Sequence, residues 1–106
     1  MGQISVAAFK PKPGQEDELL QVIADRLPLL RRLGLATDRE PILMRSKDGV
    51  LIQISEWLDD EAIRMAHETL KVLELWQRFD ACSTYVKLDS LTESHDDFAT
   101  FGAIGP

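Results

Sequence analysis

The chain has 106 residues, 12 Lys and Arg against 18 Asp and Glu, a formal net charge of -6 and one cysteine. That length holds one domain and not two, and 44% hydrophobic with 28% charged residues belongs to a globular, folding chain. The acidic balance argues against a nucleic-acid partner, and no apolar run approaches the ~20 residues of a membrane span.

The first residues lack the basic-then-apolar order of a signal peptide, and the lone Cys82 suits a reducing cytoplasm. Residues 3–10 alternate, with Ile4, Val6 and Ala8 on one side and Ser5, Ala7 and Phe9 on the other, which predicts a strand. Pro11 and Pro13 close it, since neither can donate a ladder hydrogen bond. Three acids, Glu16, Asp17 and Glu18, suit the positive end of a helix. Leu19, Val22, Ile23, Leu27 and Leu30 then form one apolar stripe at helical spacing. Pro28 removes a ladder hydrogen bond inside that stripe, so a kink or restart is expected there, with Gly34 as the stop. Residues 36–40 are loop-like. Residues 42–46 and 50–57 read as strands joined by Lys47-Asp48-Gly49, an Asp-Gly hairpin signal. Asp59-Asp60-Glu61 opens a second helix with an Asp as N-cap. Its apolar face runs through Ala62, Ile63, Ala66, Leu70, Leu73, Trp76 and Phe79, with a break expected near Thr69. Residues 84–88 make a last strand.

The order strand, helix, strand, strand, helix, strand predicts an α+β, ferredoxin-like βαββαβ domain over residues 1–88. It is an antiparallel four-stranded sheet with both helices on one face. Residues 89–106 form a tail with four acids and no Lys or Arg. Phe98 and Phe101 make it an arm with aromatic anchors, expected to dock on a partner subunit. The second sheet face needs a cover. Ser5, Ala7 and Phe9, with Leu51, Gln53, Ser55 and Trp57, mix large apolar with small polar groups. This mixture is expected on an open face that meets a second copy and encloses a small-molecule space. A domain this small is expected to share any sizeable pocket between subunits.

No phosphate loop, metal spacing or nucleophile elbow is present. Cys82 reads as a buried structural thiol rather than a nucleophile. His67 is the candidate catalytic residue, because its ring can exchange a proton near neutrality and it lies beside the expected helix break. The bland reading of His67 is a helix-end histidine bonded to a backbone carbonyl. Trp57 could stack a flat ligand or anchor an interface. Tyr85 could offer a hydroxyl, Arg45 could hold an anionic group, and Trp76 sits on the apolar helix face as core or pocket wall.

Glu56-Trp57, Glu61-Ala62-Ile63, Ala66-His67-Glu68, Val72-Leu73, Leu75-Trp76, Arg78-Phe79, Cys82 and Tyr85-Val86 form a familiar series. Lys12-Pro13-Gly14 before an acidic helix start and Phe98-Ala99-Thr100-Phe101 in the tail extend it. Over nearly its whole length the chain resembles the antibiotic biosynthesis monooxygenase-like domains of the dimeric α+β barrel superfamily. The resemblance implies a homodimer joined sheet to sheet, with the tail reaching over the neighbour. It implies an activity class, that of a cofactor-independent monooxygenase-like oxidoreductase acting on a small aromatic or quinol-type substrate. No cofactor is then expected. Haem binding is a further option, with His67 as the only axial candidate. The oxygenases of that family use a pocket asparagine, and this chain contains none; Gln53 is the residue that could stand in. The alternative is a non-catalytic dimeric binding or accessory domain, since one fold hosts many functions.

Overall fold

Strand and helix signals of the sequence resolve into one sheet with a helical layer. The computed structural model describes residues 2–105. Its elements are β1 (Gln3–Pro11), α1 (Glu16–Arg32), β2 (Ile42–Arg45), β3 (Leu51–Trp57), α2 (Asp60–Ala66), α3 (Leu70–Cys82), β4 (Ser83–Tyr85) and β5 (Gly102–Ala103). Two short 3-10 turns, Leu88–Ser90 and Thr92–His95, precede β5. The strands form one antiparallel sheet in the order β4-β1-β3-β2-β5, so the fold is α+β with five strands rather than the four expected. The fifth strand comes from the tail, where Gly102 and Ala103 pair with Arg45 and Met44.

The helix α1 continues through Pro28 without interruption, against the expected restart. Pro28 is exposed, while Leu27 and Leu30 on either side are buried and hold both turns against the core. The helix ends as Gly34 predicts. Gly34 takes a φ of 73°, its N–H donates to Arg31 O, and Leu35 N–H donates to Leu30 O. The hairpin closes through Gly49 at φ 85°, with Gly49 N–H donating to Ser46 O.

The second helix breaks where Thr69 stands. Its hydroxyl donates to Met65 O at 2.7 Å and its backbone is extended, which ends the α2 ladder. Because α3 starts afresh at Leu70, the apolar stripe changes phase. Val72, Leu75, Phe79 and Cys82 are buried, whereas Leu70 and Leu73 face out. Asp59 caps α2 as expected, accepting from Ala62 N–H at 2.8 Å.

The assignment of sheet faces is corrected. Phe9 and Leu51 pack with Leu19, Val22, Ile23, Leu75 and Phe79, and Trp57 packs with Leu27 and Leu30. The mixed face therefore lies beneath the helices and is not open to a second copy. Its polar groups, Gln53 and Ser55, are buried because a side chain of α1 reaches down to them. The outer face carries the aliphatic set instead. Ala8, Val50 and Ile52 at one end are covered by Leu91, Val86 and Phe101 of the chain's own C-terminal segment. At the other end Ile4, Val6 and Ile42 stay 53%, 41% and 56% exposed. The tail thus folds back on its own sheet in the single chain. Glu93 is buried in it, its Oε2 accepting from Lys47 N–H at 2.8 Å, and Thr92 donates to Asp48. Of the two proposed anchors, Phe101 packs inward and Phe98 is 89% exposed.

Candidate functional site

The strand β4 pairs only with Phe9, Lys10 and Pro11 of β1. The first half of β1 is therefore left at the sheet edge, without a neighbour to extend the floor. Beside it, under α1 and α3, lies a cleft of about 360 Å³. Its walls come from four layers of sequence: Ala7 and Phe9 from β1, Trp57 from β3, Trp76 and Phe79 from α3, and Tyr85 from β4, with Arg26 descending from α1. All of these belong to one chain, and the cleft they line is open on one side.

Five of the seven lining side chains are aromatic. Phe9 and Phe79 stack face to face, with centroids 4.5 Å apart and planes 11° from parallel. Phe9 also tilts against Tyr85 at 5.4 Å. Trp57 is 7% exposed. Trp76 is half-buried and Tyr85 exposed, so these two rings offer flat, apolar surface to a flat guest, backed by the buried Phe9, Phe79 and Trp57.

Arg26 is the polar exception. It occupies a core-facing position of α1, one turn from Val22 and Leu30, and is only 6% exposed. Its Nη1 donates to Gln53 Oε1 at 3.1 Å and to Ser55 Oγ at 2.9 Å, and its guanidinium carbon lies 5.5 Å from the centroid of the Trp57 ring. Among the described residues no carboxylate forms an ion pair with it. Burial without a counter-charge pulls the guanidinium down to about 10, with Tyr85 acting the other way. The Tyr85 phenol is raised above its ordinary value, first by burial and then by Asp80, while Arg26 opposes the shift. At neutral pH the cleft therefore holds a cation and a neutral phenol.

The sequence candidates separate into two groups. Trp57, Tyr85 and Trp76 come together on the cleft, and Gln53 stands behind it as a holder of Arg26. Arg45 does not join them: it is exposed on β2 and pairs with Glu16 at 3.2 Å. His67 is exposed at the end of α2, its Nδ1 2.9 Å from Ile63 O and its ring edge-on to Trp76 at 5.0 Å. It touches the outer side of a wall residue without lining the cleft. Cys82 is buried with Sγ donating to Arg78 O, and burial raises its thiol above the usual range, with Glu18 adding to this. Arg26 is the residue that sequence reasoning passed over. The signal was present, because residue 26 falls within the stripe made by residues 19, 22, 23, 27 and 30, where a charge has no solvent.

The described residues include no helix long and apolar enough to cross a membrane and no cluster of three His, Cys, Asp or Glu side chains able to hold a metal ion. Compared with known proteins, the chain matches no family model, no curated protein and no solved structure.

Proposed function

We propose that this chain is a ferredoxin-like domain of the dimeric α+β barrel kind that takes a small planar aromatic into the cleft between its sheet and helices. The observation that carries this reading is the ring of Phe9, Trp57, Trp76, Phe79 and Tyr85 around a space of about 360 Å³. That volume lies within the ~300–1,000 Å³ range of small-molecule sites. On the resemblance, the reaction is that of a cofactor-independent monooxygenase-like oxidoreductase on a phenol or quinol. One atom of dioxygen enters the ring as a carbonyl, the other leaves as water, and the substrate supplies the electrons. The site's part is to orient the ring, exclude water and favour the deprotonated substrate.

A second reading, a binding or accessory domain without catalysis, is favoured by the position of His67 outside the cleft. No other side chain with an ordinary pKa near neutrality is at hand among the lining residues. In either reading the partner is a second copy, met through the open aliphatic face around Ile4, Val6 and Ile42, with Phe98 as the tail's outward anchor.

Trp57 and Trp76 are the chain's two tryptophans, and both line the cleft. Intrinsic fluorescence therefore reads its occupancy directly. Titration with naphthol should quench the emission to saturation, and Trp76→Phe should remove part of the quench. Linear, non-saturating quenching would refute the aromatic site. Oxygen uptake with a naphthalenediol, above the uncatalysed rate, separates the oxygenase from the binding reading.

A further inference from the structure

Arg26 carries more than the shape of the cleft requires. A buried guanidinium without a counter-ion is costly, and cores tolerate one only where something offsets the charge. Among the described residues nothing does so fully. Nη1 gives both of its protons to neutral acceptors, Gln53 Oε1 and Ser55 Oγ. Nε and Nη2 have no hydrogen-bond partner among the described residues. Neither is sealed off, since among the described residues the fully buried side-chain atoms without a partner are Ser5 Oγ and Glu93 Oε1. Nε and Nη2 are the two atoms of a guanidinium that pair side-on with a planar oxyanion, two parallel N–H···O bonds to two oxygens. Arg26 lines the cleft with that pairing edge uncommitted. Gln53 and Ser55 fix the guanidinium from the opposite side, and Trp57 lies against its face. An arginine held at three points with its pairing edge unused is preorganised for an anion.

We propose that the ligand of the cleft is an aromatic oxyanion, a flat ring bearing a carboxylate or phenolate, with its charged oxygen on the free edge of Arg26. This rests on the reading of the cleft as an aromatic site and adds the charge of the guest. Arg26, Gln53 and Ser55 then select by charge what Phe9, Trp57, Trp76, Phe79 and Tyr85 accept by shape. For a phenol the same contact lowers the energy of the ionised form, which is the form that reacts with dioxygen. The phenol proton passes to solvent water, and Arg26 holds the phenolate that is left.

The test compares naphthoate with naphthamide, its neutral isostere, by tryptophan quenching at neutral pH in the full chain. Naphthoate should bind the wild type roughly tenfold or more tightly than naphthamide, the size of effect a charge-assisted pair supplies. In Arg26→Met the preference should vanish because naphthoate loses far more affinity than naphthamide, and Arg26→Lys should restore part of it. Equal affinities in the wild type would overturn the anion proposal while leaving the aromatic cleft intact. Saturable binding of neither probe would overturn both. The wild-type comparison decides the matter even if Arg26→Met fails to fold.

Discussion

Arg26 illustrates how a single side chain can set site chemistry against fold stability. The downward shift to about 10 corresponds to a burial cost of roughly 3 kcal/mol while the group is charged. Replacing it by Met removes that cost but leaves Gln53 and Ser55 without their donor, a loss of ~1–3 kcal/mol. The two effects oppose, so Arg26→Met should change unfolding free energy by only ~1 kcal/mol in denaturant melts. A loss well beyond that would mark Arg26 as a structural ion. The pH dependence follows from the sign of the shift. The folded state holds this proton less tightly than the unfolded chain, so the burial cost is present below about 10 and is relieved as pH rises through that value. Affinity for an oxyanion runs the opposite way, steady across neutral pH and lost as pH climbs through about 10. Of the groups facing Arg26, Gln53, Ser55 and Trp57 do not titrate. Tyr85 ionises above its ordinary value and would add a competing negative charge only in that alkaline range. His67 makes the contrasting case. Its ring reaches the outside of Trp76, so His67→Ala should leave probe affinity within about twofold by the same fluorescence assay. A tenfold loss would place it in the site.

At the level of elements, the C-terminal segment is a structural part of the sheet. Leu91 and Phe101 cover Ala8, Val50 and Ile52, and Glu93 receives Lys47 N–H at the hairpin. Glu93→Ala should destabilise the fold by ~1–3 kcal/mol, because a partly buried backbone donor loses its acceptor. Thermal melts and proteolysis of the tail read this; a melting temperature and cleavage rate like the wild type's would show that the contact holds nothing. The acidity that marked the tail in the sequence therefore misled in one respect, since Glu93 is interior. Element order, the Asp59 cap, the Gly34 stop and the Asp-Gly hairpin were legible because each depends on residues within a few positions of one another. Which sheet face the helices cover was not. Both faces of β1 and β3 are largely apolar, so alternation alone gives two faces without saying which is inner. Gln53 and Ser55 looked half-solvated because their partner, Arg26, lies 27 and 29 residues away. Pro28 could not announce that its helix would continue past it, with Leu27 and Leu30 buried on either side.

At the scale of the whole molecule, part of the outer sheet face is aliphatic and left bare by the chain itself. Ile4 and Val6 on β1 and Ile42 on β2 flank Ile54 of β3 at the end of the sheet that the tail does not cover. A face of this kind is what a second copy would cover. Light scattering should return the mass of a dimer, and Val6→Lys, placing a charge in that face, should return the mass of a monomer with the fold retained. A monomeric wild type would contradict the pairing. Because every residue lining the cleft belongs to one chain, probe binding should survive in the Val6→Lys monomer. The most direct test of the central claim is a crystal structure of the full chain with naphthoate. The expected result is the ring among Trp57, Trp76, Phe79 and Tyr85, with a carboxylate oxygen at hydrogen-bond distance from Nε or Nη2 of Arg26. Naphthoate on the open sheet face, or in the cleft with its carboxylate turned away from Arg26, would contradict it.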